Sequence, residues 1–254
     1  MITDKTQPHT HQPEVIQRLA QEIHTARQEN PGLKMVIGHG SGSFGHTPAR
    51  QYGTRQGVHT AQEWKGFFQV WQAARELNLL VWQNLCEAGL PVVTISPSSS
   101  ITAKAGKVET WNLFPLQAAL EAGLVPLIYG DVVFDSHIGG TILSTEDLFF
   151  HLAQHLNPKR ILLAGIEQGV WAGFPSRTGI IANITPATLE QVRPALQGSA
   201  ATDVTGGMVQ KVESMLALAQ QVHGLEILIF SGEQKGVLER AISGSSPGTV
   251  IRAV

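Results

Sequence analysis

The chain has 254 residues, of which 43% are hydrophobic and 15% charged, with a net charge of −2 and a single cysteine. That length can bury a core without disulfides or metals, and the composition argues against a disordered chain or a polyanion-binding surface, so nucleic acid is not an expected partner. No apolar run approaches the roughly 18 residues of a membrane span, and MITDKTQPHTHQPEV (1–15) lacks the apolar centre of a secretion signal, so a cytoplasmic protein with no membrane partner is expected.

Pro13 suits the first turn of a helix with the apolar face Val15, Ile16, Leu19, Ala20 and Ile23, and Asn30-Pro31-Gly32 stops it. LKMVIGHG (33–40) reads as a buried strand. A polar, glycine-containing stretch is expected to about residue 60, then a long helix from Ala61 to Ala88 bearing Trp64, Phe67, Phe68, Trp71, Leu77 and Val81, ended by Gly89. Cys86 falls in this helix and is expected to be a buried small apolar residue, not a catalytic thiol. The chain then alternates: strand PVVTISP (91–97), a turn-rich segment, helix LFPLQAALEAG (113–123), strand VPLIYGDVVFD (125–135), a glycine-bearing turn, helix TEDLFFHLAQHL (145–156) and strand RILLAGI (160–166). After a less regular region at 167–200 come a helical pattern to residue 224, the strand LEILIF (225–230) and GTVIRAV (248–254). Strands separated by helices predict an α/β fold, a three-layer α/β/α sandwich with a largely parallel open sheet. One domain over 1–254 is expected, with an anion cradle in its N-terminal half and a second ligand site in its C-terminal half.

The cradle is VIGHGSGSFGH (36–46), whose glycines allow tight turns and close approach of backbone N–H groups to an anion such as phosphate. Residues 40–45, GSGSFG, also match G-x-G-x-x-G. A dinucleotide fold needs a helix starting inside those glycines and an acidic strand end about 20 residues later. Pro48, Gly53 and Gly57 oppose the first requirement, and Glu63 lies in a helical pattern, against the second. A G-x-x-x-x-G-K-[ST] loop is absent, because neither Lys107 nor Lys235 has the spacing. His39 and His46 flank the loop without a companion set of metal ligands, so no protein metal site is expected. His9 and His11 read as solvated loop residues. TDVTGGMVQK (202–211) offers a cap at Thr202 or Asp203, glycines at 206 and 207, and Lys211 about a turn into the helix. Backbone donors plus a lysine suit a nucleotide phosphate, and an ordinary capped helix explains the same residues.

Taken together, ITDK (2–5), GHGSGSFGH (38–46), YGDVVFD (129–135), ILSTED (142–147) and TDVTGGMVQK (202–211) resemble the amino-acid kinase superfamily in order and spacing over nearly the whole chain. GSGSFGH with the helix that follows resembles the isopentenyl phosphate kinases within it. The resemblance implies transfer of the ATP γ-phosphate to isopentenyl phosphate, giving isopentenyl diphosphate, with Mg²⁺ accompanying ATP through phosphate oxygens and water. It implies that Ser41 and Gly42 hold the acceptor phosphate by backbone N–H groups while His46 bonds its oxygens, with Gly140 a further donor in a turn. Lys5 and Lys211 contact the transferring phosphate, Gly42 and Gly207 approach ATP, and Asp147 orients the lysines. Phe67, Phe68 and Trp71 are expected to wall an apolar pocket for the tail. The substrate partner is a small molecule, and a homodimer is expected. The family pattern places a strand ending in K-x-G-G-S directly before ITDK, whereas the sequence starts at Met1, so lower stability and activity than in a chain carrying that strand are expected. Glu167 stands in AGIEQGVW, where aspartate or asparagine is usual. A kinase for another small phosphate or phosphonate, of the fosfomycin kinase kind, and an impaired ligand-binding paralogue remain the alternatives.

Overall fold

The computed structural model describes residues 1–4, 6–173, 176–197 and 207–254. Lys5, Thr202, Asp203 and Gly206 therefore lie outside the described residues. The chain divides into two compact units, Met1–His151 and Leu152–Val254.

In the first unit, helix α1 (Pro13–Glu29) leads to strand β1 (Ile37–His39). Strands β2 (Val92–Thr94) and β5 (Val125–Tyr129) complete a three-stranded parallel sheet in the order β1-β5-β2. Central β5 is buried at every position, as an apolar run in a parallel sheet should be. The expected strand at 125–135 breaks at Gly130, whose N–H donates the last rung of the β1–β5 ladder, to His39 O at 3.0 Å. Beyond the break, strand β6 (Asp131–Asp135) belongs to a second sheet, β4-β3-β6-β7, built from β3 (Ile101–Lys104), β4 (Lys107–Trp111) and β7 (Gly139–Leu143).

One hairpin, β3–β4, thus stands where a turn-rich segment was expected, and in a second the expected strand residues of β6 pair with β7, where a glycine-bearing turn was expected. Ala105 and Gly106 both take positive φ, 49° and 78°, the backbone a two-residue hairpin turn demands. The Asp135 carboxylate fastens both hairpins, accepting N–H bonds from Ala105, Gly106, His137 and Ile138 at 2.8–3.0 Å. Burial pushes this carboxyl up, but those four donors outweigh burial and hold it below the ordinary carboxylate range.

The largest departure is helix α2 (Gly42–Tyr52), followed by a 3-10 turn (Thr54–Gln56), where a non-helical stretch was expected. Pro48 costs this helix the N–H that would bond Phe44 O. Burial of Ser43, Phe44, Gly45 and Pro48 on one face compensates, and Gly53, at φ 63°, ends the helix. Helix α3 (Ala61–Glu87) runs as expected and packs so closely on α2 that a Cβ on Gly66 would collide with Tyr52. Phe67 joins Val58, Val70 and Val132 in a buried cluster edged by Trp64 and Trp71. Short α4 (Pro97–Ser100), α5 (Phe114–Glu121) and α6 (Thr145–Leu156) complete the helices of this part.

In the second unit, β8 (Arg160–Gly165), β11 (Asn183–Ile184), β12 (Glu226–Ser231) and β13 (Thr249–Ile251) form a sheet ordered β11-β13-β12-β8. The pairs β12–β8 and β11–β13 are parallel, and β12–β13 is antiparallel. The irregular region holds the small pair β9 (Trp171–Ala172) and β10 (Gly179–Ile180) and helix α7 (Pro186–Gln197). Helices α8 (Gly207–Gln221) and α9 (Val237–Ile242) complete it.

Candidate active site

Strand β1 delivers the glycine loop to one end of the parallel sheet, with His39 in register with Tyr129. Gly38 has no room for a side chain, because a Cβ there would lie 2.7 Å from both Thr145 and Phe149 of α6. Gly42 takes φ 49°, and a Cβ on it would collide with Thr3, itself buried. The glycines therefore let the N-terminal segment and α6 close on the loop from two sides.

Hydrogen-bond accounting at the start of α2 defines what the loop can do. The Ser43 N–H donates to Thr3 Oγ1 at 3.2 Å, and the Phe44 and Gly45 N–H groups donate to Ser41 O at 3.1 and 3.2 Å. The N–H groups of Gly40, Ser41 and Gly42 have no acceptor among the described residues. Gly40 is exposed and the other two are partly exposed. Ser41 occupies the N-cap position without making a side-chain cap bond. Consecutive unpaired donors at a helix N-terminus make an anion site by geometry and by dipole. The helix does begin inside the glycines, so that objection to a dinucleotide fingerprint fails. The second objection stands, since Glu63 is the N3 residue of the α3 capping box and not a strand end.

Histidine 46 lies on α2, exposed and with no hydrogen-bond partner among the described residues, so its ring is available to a ligand. Gly140 sits in β7 and not in the turn, and its N–H already donates to Ile138 O at 2.9 Å. A Cβ there would press on Phe67 at 2.9 Å, so what this glycine visibly does is admit the aromatic ring. Asp147 is the acid of a capping box at α6: its Oδ2 accepts from Ser144 N and Oγ at 2.8 and 2.7 Å, and from Arg55 at 3.1 Å. In this unit the cation it holds is thus an arginine. Gly207 begins α8 and Lys211 lies one turn on, both in the second unit. Glu167 follows β8, where its carboxylate accepts from the Trp171 indole at 2.6 Å and from Arg177 at 3.0 Å.

The aromatic helix face divides in two. Phe67 is core, Trp71 donates to Ser98 Oγ at 3.2 Å, and Phe68 points outward, 55% exposed. Phe67 groups with Trp64 and with half-exposed Phe134 of β6, while Phe68 and Trp71 pair with each other, ring centroids 6.2 Å apart.

Beneath the loop lies a buried polar floor. The His39 ring stacks on Tyr129 with centroids 5.8 Å apart, and its Nδ1 and Nε2 face Gly40 O at 3.0 Å and Asn78 Oδ1 at 3.3 Å. Asn78 reaches on to Thr94, and Tyr129 pairs with Ser96. Burial lowers the His39 pKa, favouring the neutral ring, although the bonds to Gly40 and Asn78 oppose it. Burial, aided by the neighbouring Asp131 charge, pushes the Tyr129 hydroxyl up to about 12. Burial likewise pushes the Asp131 carboxyl up to about 7, against the lowering pull of nearby Ser98 and the Val132 N–H; it is wholly enclosed, with Oδ1 held by Val132 N–H while Oδ2 meets no donor in hydrogen-bond geometry among the described residues.

Sequence reasoning missed Thr3 and Arg55. Thr3 lies inside the quoted ITDK, and its signal was a hydroxyl beside a glycine loop with unfilled donors. Arg55 carried no signal, because its partner is distant in sequence. Among the described residues no three His, Cys, Asp or Glu side chains converge as metal ligands, and no helix is long and apolar enough to cross a membrane.

Known proteins with this pattern agree on a family. The sequence profile described as the Amino acid kinase family matches residues 1–231. An isopentenyl phosphate kinase from Methanothermobacter thermautotrophicus is 32% identical over 235 residues, 90% of this chain and 86% of that protein. One from Haloferax volcanii is 32% identical over 254 residues, 99% and 95% of the two chains. A solved isopentenyl phosphate kinase structure superposes with TM-score 0.77 at 27% identity, covering 95% of this chain and 92% of that one. With its glycine loop opening a helix at the end of a parallel sheet, the chain belongs to the amino acid kinase family.

Proposed function

We propose that the protein transfers the γ-phosphoryl group of ATP to isopentenyl phosphate, releasing ADP and isopentenyl diphosphate. The observation that carries this reading is the row of N–H donors at Gly40, Ser41 and Gly42, open among the described residues, followed one helical turn later by His46, whose ring has no partner among them. Such a site fits the compact dianion of a phosphate monoester, and the relatives that share about a third of the sequence are isopentenyl phosphate kinases.

The acceptor is already an anion, so the chemistry asks for position and charge neutralisation more than for a general base. Ser41 and Gly42 N–H groups would hold its phosphate, and His46 would donate to an oxygen that gains charge in the transition state. Lys5 and Lys211 would neutralise the transferring group, Gly207 would admit ATP at the start of α8, and Asp147 would orient the lysines. Gly140 would act by making room for Phe67, or as a donor only by giving up its bond to Ile138. With no converging protein ligands among the described residues, Mg²⁺ would be carried by phosphate oxygens and water, where it neutralises phosphate charge. A homodimer fits Phe68 and Leu79, both about half exposed and three turns apart on one side of α3, and light scattering would test it.

ADP release measured with isopentenyl phosphate, dimethylallyl phosphate, acetylglutamate, carbamate and fosfomycin tests the assignment. The highest kcat/KM is expected for isopentenyl phosphate. Equal or faster turnover of a carboxylate, carbamate or fosfomycin would assign the site to another acceptor, and no ADP release with any of them would leave a binding protein.

A further inference from the structure

Each of the three open donors belongs to a peptide unit whose other end is its neighbour's carbonyl, and in a planar trans peptide the C=O direction fixes the N–H direction. The carbonyl behind the Gly40 N–H is His39 O, gripped by the Gly130 N–H at 3.0 Å and the Thr145 hydroxyl at 2.6 Å. The carbonyl behind the Gly42 N–H is Ser41 O, held by the Phe44 and Gly45 N–H groups. The middle unit joins Gly40 O to the Ser41 N–H. The group that meets its carbonyl is a side chain, His39 Nδ1 at 3.0 Å.

From this geometry we infer that His39 is a positioning residue for phosphate binding: its ring aims the Ser41 N–H into the cradle by holding the carbonyl at the far end of the same peptide. The inference rests on the phosphate-binding reading of the loop.

A carbonyl oxygen only accepts, so Nδ1 must carry the proton. A neutral ring then has Nε2 as an acceptor. A half-turn of the Asn78 amide presents its NH₂ to Nε2 and its carbonyl to the Thr94 hydroxyl, so every member of the chain His39–Asn78–Thr94 is satisfied. Gly40 O thus sets the tautomer, the Asn78 amide accommodates it from behind, and the stack on Tyr129 fixes the ring plane. His39 itself is buried, whereas His46 is exposed.

The test compares His39→Phe, which keeps a ring over Tyr129 but no donor, with His39→Asn, whose amide nitrogen falls near the place of Nδ1, and His39→Gln, whose amide falls near Nε2. Phe and Gln are expected to raise KM for isopentenyl phosphate about tenfold or more and to leave KM for ATP within about twofold, while Asn recovers most of the loss. Unchanged acceptor KM in the Phe variant, or equal KM rises for both substrates, would overturn the inference. Two measurements on the unaltered protein stand even where a variant fails to fold or isopentenyl phosphate proves the wrong acceptor. Nitrogen-15 spectra of the His39 ring should show the proton on Nδ1, and titration with inorganic phosphate should shift the Ser41 amide. An Nδ1 without a proton, or a Ser41 amide indifferent to phosphate, would each overturn it. Phosphate-responsive amides with no turnover of isopentenyl phosphate would instead overturn the substrate assignment alone.

Discussion

Helices α2 and α3 start only nineteen residues apart in sequence, and they treat their first N–H groups in opposite ways. At α3, Thr60 and Glu63 form a full capping box: the Thr60 hydroxyl accepts from Glu63 N–H, and the Glu63 carboxylate accepts from His59 and Thr60 N–H. Those bonds hold the exposed Glu63 carboxyl below its usual range. At α2 the serine in the cap position caps nothing, and three donors are left open. A closed start contributes to the stability of its own helix. An open one gives up that stabilisation, on the order of 1 kcal/mol for a missing cap, and keeps its dipole and donors for something outside the chain.

The sharpest way to break the contrast is Gly42→Ala. The methyl group would need the positive φ and the space held by Thr3, so the loop must move and the three donors diverge. Turnover is expected to fall below detection while α3 and the parallel sheet persist in circular dichroism. A variant with more than a tenth of the parent kcat/KM would show that the donor row is not the acceptor site.

The floor beneath the open start carries its own cost, and Asp131→Asn should reveal it. A carboxyl raised to about 7 in the fold, against about 3.9 in the unfolded chain, binds its proton more tightly when folded. Stability is therefore present below pH about 4, is lost as pH rises from about 4 to about 7, and stays low above. An asparagine does not titrate, so it should match the parent at pH 4 and exceed it by up to about 4 kcal/mol at pH 8. Denaturant unfolding across that range checks it, and a pH-independent difference would count against the raised carboxyl.

His46→Ala should lower kcat by about a hundredfold, about 3 kcal/mol, through the loss of one donor to the charge that develops in transfer. Its melting temperature should stay within a degree or two, since the ring is exposed and bonds nothing among the described residues. Full activity would return the role to the backbone donors. The smallest effect belongs to the closed start: Thr60→Ala should cost about 1 kcal/mol of stability and leave kcat and both KM values as they were.

How far these features could be read in advance depends on range. The α3 helix was legible in its apolar spacing and in T-x-x-E, and the strands β5, β8 and β12 in their apolar runs, because those signals are local. The α2 helix was not, since Pro48 and the glycines argue against a helix and only the packing of Tyr52 on Gly66 and the burial of Phe44 compensate. The break at Gly130 was hidden for the same reason: β5 and β6 pair with different strands, β1 and β2 on one side of it and β3 and β7 on the other. In the site, the donor loop and His46 could be located from residue types. Thr3, Arg55 and the orienting ring of His39 could not, because each acts through a partner that only folding supplies.

The clamping of the three carbonyls behind the loop also shapes the thermodynamics and speed of binding. Fixing a backbone residue costs roughly 1–2 kcal/mol of conformational entropy, and here that ordering is done when the chain folds instead of when the ligand arrives. Capture of a phosphate should accordingly show little ordering of the loop in amide relaxation and an association rate set by encounter instead of by rearrangement. That rate should fall as salt screens the attraction between the dianion and the helix start.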